Sequence, residues 1–122
     1  MAVSAKTVPV PFAEKQTVDT AATSGVQYAH SGVAKLSGWF VDNTANSAKS
    51  YIKFYDATGS VNVGTTVPVA LFMIPASTSR MFSMPGGITF SNGIAYAVTT
   101  AGGTAGSGAP GTALTVRLLI SL

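Results

Sequence analysis

The chain has 122 residues, with seven Lys and Arg, four Asp and Glu, one His and no cysteine. That length supports one domain with a real core. So few groups able to move protons, attack or bind metals predict a non-enzyme without cofactors, and the missing cysteines exclude a disulfide framework and a thiolate metal site.

Hydrophobic residues make up 47% of the chain and charged residues 9%. This excludes a disordered chain. It also falls short of an ordinary soluble surface, which is on the order of 25–35% charged. Either Ser, Thr, Asn and Gly hydrate the exterior, or neighbouring subunits cover it, and burial in an assembly is the preferred reading. The net charge of +3 is scattered along the chain and forms no basic window, so no direct nucleic-acid contact is expected. The first residues, Met1 to Lys6, lack the apolar core of a secretory signal. The longest apolar stretch, Val67 to Ala76, is interrupted by Pro68 and Pro75 and is far too short to span a membrane.

In chain order, residues 1–16 read as an extended arm, since Pro9-Val10-Pro11 removes two backbone donors and fixes φ. Its apolar residues Val8, Val10 and Phe12 are expected to lie against the body or a neighbour. Residues 17–122 read as a single β-sandwich domain. Lys35 to Asn43 is the first clear strand, with Leu36, Gly38 and Phe40 on one face and Ser37, Trp39 and Val41 on the other. Residues 43–47 form a turn by composition. Ser50 to Tyr55 alternates, with Ile52 and Phe54 inward and Tyr51, Lys53 and Tyr55 outward.

Val67 to Ile74 and Ser79 to Met84 are the next strands, the second closed by a Pro85-Gly86-Gly87 turn. Ile88 to Phe90 and Ile94 to Thr100 flank a hairpin signal at Asn92-Gly93. Residues 102–111 form a long glycine-rich loop. The last strand carries Leu114, Val116, Leu118, Ile120 and Leu122 on one face, and so long an apolar strand should be internal or paired. No helical period lasts three turns. About seven or eight strands between turn signals predict an all-β, antiparallel, jelly-roll-like β-sandwich with an extended N-terminal arm.

The order of motifs carries a resemblance. Leu36-Ser37-Gly38-Trp39 leads to Tyr51-Ile52-Lys53-Phe54-Tyr55-Asp56, then Val63-Gly64-Thr65, Pro68, Pro85-Gly86-Gly87-Ile88-Thr89-Phe90, Asn92-Gly93-Ile94-Ala95 and Val98-Thr99-Thr100. Over residues 30–122 this resembles small β-rich proteins of tailed bacteriophages and prophages, whose better-understood relatives are virion proteins of the capsid decoration or cement type. The resemblance implies a virion structural protein on the capsid exterior, made in the bacterial host cytoplasm. It further implies a homo-oligomer, with a trimer favoured, whose partner is the major capsid protein. Partner contacts fall to the arm residues Val8, Pro9, Val10, Pro11 and Phe12 and to Arg80 and Arg117, which could meet acidic groups of a shell. A tail or fibre module recognising a host glycan is the alternative, since such proteins share one sandwich.

Other candidates are weaker. His30 has no second histidine or cysteine for a metal site. Asp42 and Asp56 lie at strand ends, where Asp caps turns, and an enzyme would need them clustered with His30. The glycine-rich loop lacks the Gly-Lys-Ser/Thr ending of a phosphate loop. Trp39, Phe40, Tyr51, Phe54 and Phe90 read as core, and Trp39 or Tyr55 would have to seed any glycan site.

Overall fold

The computed structural model describes residues 15–122. They form eight strands: β1 (Lys15–Ala22), β2 (Gln27–Ser31), β3 (Ala34–Asp42), β4 (Ser50–Asp56), β5 (Ala70–Ile74), β6 (Ser79–Phe90), β7 (Gly93–Thr99) and β8 (Leu114–Ser121). Among the described residues there is no helix, so none long and apolar enough to cross a membrane. The strands make two four-stranded antiparallel sheets, β1-β8-β3-β6 and β2-β7-β4-β5. One hydrophobic cluster takes side chains from both. Leu36, Trp39, Val41, Phe90, Val116, Leu118 and Ile120 come from the first sheet, and Ile52, Phe54, Ile74, Ile94 and Val98 from the second. The fold is therefore all-β and sandwich-like.

An aromatic group centres the core. Trp39 stacks on Phe82 at 5.4 Å and meets Phe54 edge-on at 5.5 Å, with Phe72 at 4.7 Å. Rings at these separations add to stability beyond their buried area. The long C-terminal strand β8 is internal, between β1 and β3, so its apolar face never forms an edge.

Several elements differ from the sequence reading. A register shift in β3 between Leu36 and Gly38 places Leu36 in the core with Trp39 and Val41, and leaves Phe40 on the opposite face. Strict alternation cannot anticipate a bulge. Pro85-Gly86-Gly87 is not a turn between two strands but an irregular stretch inside the single strand β6. Because β6 is an edge strand, the missing proline donor is tolerated, and Gly86 and Gly87 take φ of 82° and 70°. β5 begins only at Ala70, and Leu122, placed on the buried face of the last strand, is 64% exposed. β1 starts at Lys15, inside the span assigned to the arm; the rest of that arm, with Val8 to Phe12, lies outside the described residues.

Candidate functional site

The outward surfaces of the two sheets are built differently. On β4, Tyr51, Lys53 and Tyr55 share the face turned away from the core, and β7 adds Ala95 and Ala97. Yet Tyr55, Ala95 and Ala97 are buried, packed against Val26, Val61 and Val63 from connecting segments. The glycine-rich loop completes the cover. Thr100 N–H donates to the Gly108 carbonyl at 2.9 Å, and Thr99 Oγ1 to that of Ala101 at 2.8 Å. A Cβ at Gly106 would stand 2.2 Å from the Ala101 oxygen, so only glycine closes this loop.

Under the loop lies Lys53, which strand alternation places outward. It is 0% exposed, and its Nζ donates to the Gly106 carbonyl. Burial holds its amine below the usual lysine range. Beside it the Tyr55 hydroxyl is buried without a partner, and burial pushes its phenol up. The loop thus orders against its own sheet.

The first sheet has no such cover among the described residues. Pairing aligns Val18, Arg117, Phe40 and Met81 in one row across β1, β8, β3 and β6. Val18 and Met81 are 53% and 55% exposed, Arg117 is exposed, and Phe40 and Leu119 are half-buried. The row is apolar with one cation at its centre. Arg80 is exposed as well, but it pairs with Val41, which points into the core, so the two arginines do not share a face.

A third feature lies where the sheets part. The edge strands β1 and β2 flank a cleft of about 420 Å³ lined by Thr17, Val18, Asp19, Thr20, Gln27, Tyr28, Ala29 and Tyr96. Tyr96 Oη donates to Asp19 Oδ2 at 2.7 Å, and Asp19 Oδ1 accepts the Ala21 N–H at 2.9 Å. Burial, then the Asp19 hydrogen bond and charge, raise the Tyr96 phenol far above its ordinary value, so it stays protonated. Lys15 Nζ donates to the Ala29 carbonyl at 2.9 Å and lies 3.3 Å from His30 Nδ1, tying the two edges together.

The structure does not gather the titratable candidates. Asp42 accepts the backbone N–H and the hydroxyl of Thr44 at 2.9 and 2.6 Å; these bonds, the hydroxyl's first, hold its carboxyl below the usual range. Asp56 is partly desolvated, which raises its pKa, but the N–H groups of Asn92, Ser91 and Gly93 outweigh this and lower it. Asn43, next to Asp42, accepts from Ser50 at the start of β4, while Asp56 ends that strand, about 20 Å away at the usual strand rise. His30 and Asp56 flank Ile94, two strand spacings apart, and among the described residues no three His, Cys, Asp or Glu could share a metal.

Trp39 and Tyr55, the sequence's seeds for a glycan site, are each 1% exposed and unable to stack on a ligand. Tyr28, 45% exposed, pairs with Ala95 and accepts the Val61 N–H, so its ring lies on the outward side of the second sheet; its only sequence signal is a polar setting, Gln27 before it and His30-Ser31 after. Compared with known proteins, the chain matches no family model, no curated protein and no solved structure.

Proposed function

We propose that this protein is a non-enzymatic bacteriophage virion component that decorates or cements the capsid as a symmetric oligomer, a trimer being favoured. The observation that carries the reading is the bare, largely apolar row Val18–Arg117–Phe40–Met81 on the first sheet, opposite a second sheet that covers itself. Exposed apolar surface of this kind marks contact with another protein. Arg117 is the cation best placed for an acidic partner group, and Arg80 adds a second on the β6 edge.

The strand order β1-β8-β3-β6 facing β2-β7-β4-β5, all antiparallel, supports classing the sandwich as a jelly roll, a fold common in virus shells. Four strands of about eight residues give a face on the order of 500 Å². A stable interface needs roughly 800 Å² per partner. The remainder has to come from contacts beyond this face.

Light scattering on size-exclusion-purified full-length protein tests this. A closed oligomer that Met81→Glu or Val18→Glu dissociates is expected; a monomer at every concentration, with no affinity for capsid shells, overturns it. A second reading, a tail or fibre module for a host glycan, is favoured by the exposed Tyr28 ring on the outward side of β2. Hundreds of copies per virion support cement, and a handful support the tail.

A further inference from the structure

We infer that β5 is the edge at which a second copy of this chain docks, pairing strand to strand across a two-fold axis. The fold has four edge strands, β1 and β6 in the first sheet and β2 and β5 in the second. Each presents backbone N–H and C=O groups with no strand beyond them among the described residues. Such a row invites another chain unless charges, proline or bulges blunt it. These devices are spread unevenly over the four edges.

Three edges carry them. β1 holds Lys15 and Asp19 and a register shift between Asp19 and Ala22. β2 holds His30 and a register shift after Tyr28, and the Lys15 ammonium already takes its Ala29 carbonyl at 2.9 Å. β6 holds Pro85 and also Arg80, which its pairing with Val41 sets on the core side. Residues 84–87 of β6 stand opposite Ser37 alone, because Ser83 pairs with Gly38 and Ile88 with Leu36. β5 has none of these. Ala70 to Ile74 pair with β4 in unbroken register, and the Val69 N–H donates to the Phe54 carbonyl at 2.8 Å, carrying the edge back to Val69. No charged residue occurs between Asp56 and Arg80.

The chemistry of this edge fits its own copy. Val67, Val69 and Met73 beside it are 71%, 54% and 44% exposed. A two-fold axis sets a patch against itself, and an uncharged strand meets no like charge there. A foreign strand bearing charges finds no counter-charge on β5. Two antiparallel β5 strands join the second sheets of both copies into one, whose ends are β2 and the partner's β2. Both ends are blunted, so the pairing closes and does not propagate. Residues 67–74 span about 26 Å, and the side of a sandwich is about 20 Å deep with its side chains, giving on the order of 500 Å² per copy. The total of about 1,000 Å² is the lower limit for a specific contact, so the dimer forms only as concentration rises. The contact is separate from the first-sheet face, and neither needs the other.

Hydrogen exchange on the full-length protein from about 10 μM to about 1 mM, with light scattering on the same samples, tests this. Exchange across residues 69–74 should slow at least about threefold as dimers appear, because edge amides gain acceptors. Met73→Lys and Val69→Lys, each a charge on an exposed side chain, should abolish the slowing and leave the melting midpoint unchanged. Val18→Glu, on the first-sheet face, should keep it. Exchange at one rate at every concentration, fast or already protected by the chain itself, overturns the proposal. So does slowing that survives both lysine variants, or slowing that Val18→Glu removes, which traces it to the first-sheet face. A β5 dimer without affinity for capsid shells counts against the cement reading and supports this contact.

Discussion

The two outward sheet faces make an instructive pair. Both alternate in sequence and both place bulky residues away from the shared core. The second sheet folds its own loops over Lys53, Tyr55, Ala95 and Ala97, even at the cost of burying a lysine amine. The first leaves Val18, Met81 and Arg117 in solvent. Among the described residues, connecting chain shields one face and leaves the other exposed.

A matched pair of charge insertions gives the sharpest break. Ala97→Lys should cost about 3–5 kcal/mol, because it buries a second cation directly opposite Lys53. Val18→Glu, opposite Arg117 in the bare row, should leave monomer stability within about 0.5 kcal/mol. Denaturant midpoints of the two variants decide it, and equal losses would erase the contrast. Next in size, Gly106→Ala should cost about 1–3 kcal/mol by overpacking the covering loop. Gly59→Ala, with open space around its Cβ position, should shift the midpoint by only a few tenths of a kcal/mol.

The buried amine sharpens the comparison through pH. The folded Lys53 pKa lies below the ordinary lysine value of 10.5, so between the two the unfolded chain binds more protons. Stability due to this group therefore rises as pH climbs toward 10.5. The raised phenols of Tyr55 and Tyr96 act the other way, but only above the ordinary tyrosine value of 10.0. Up to that point the wild type should gain on Lys53→Met in denaturation at increasing pH, and parallel curves would show that the amine is solvated.

A small effect belongs to Asp56, where the covering segment leaves β4. Its folded pKa lies below 3.8, so its contribution is present above that value and is lost as pH falls through the folded one. Asp56→Asn should flatten that acid limb and cost under about 1 kcal/mol at neutral pH, since its hydrogen bonds are largely exposed.

Alternation made β3, β4, β7 and β8 legible, because each is an inner strand or carries a full apolar face. β1 and β2, KQTVDTAA and QYAHS, escaped for the opposite reason. As edges they pair on one side only and stay largely polar, so no hydrophobic period announces them. The cleft they flank was unreadable for the same reason.

Composition and residue pattern by themselves determined an all-β chain with one apolar core and too few titratable groups to cluster. Those properties depend on residue type and on a period of two, both local. Which outward face is covered was decided only by tertiary structure. Lys53 is buried by a carbonyl at Gly106, distant along the chain, and Tyr96 meets Asp19 across the gap between the two sheets. Contacts at that separation come from strand order and loop return, to which local periodicity is blind.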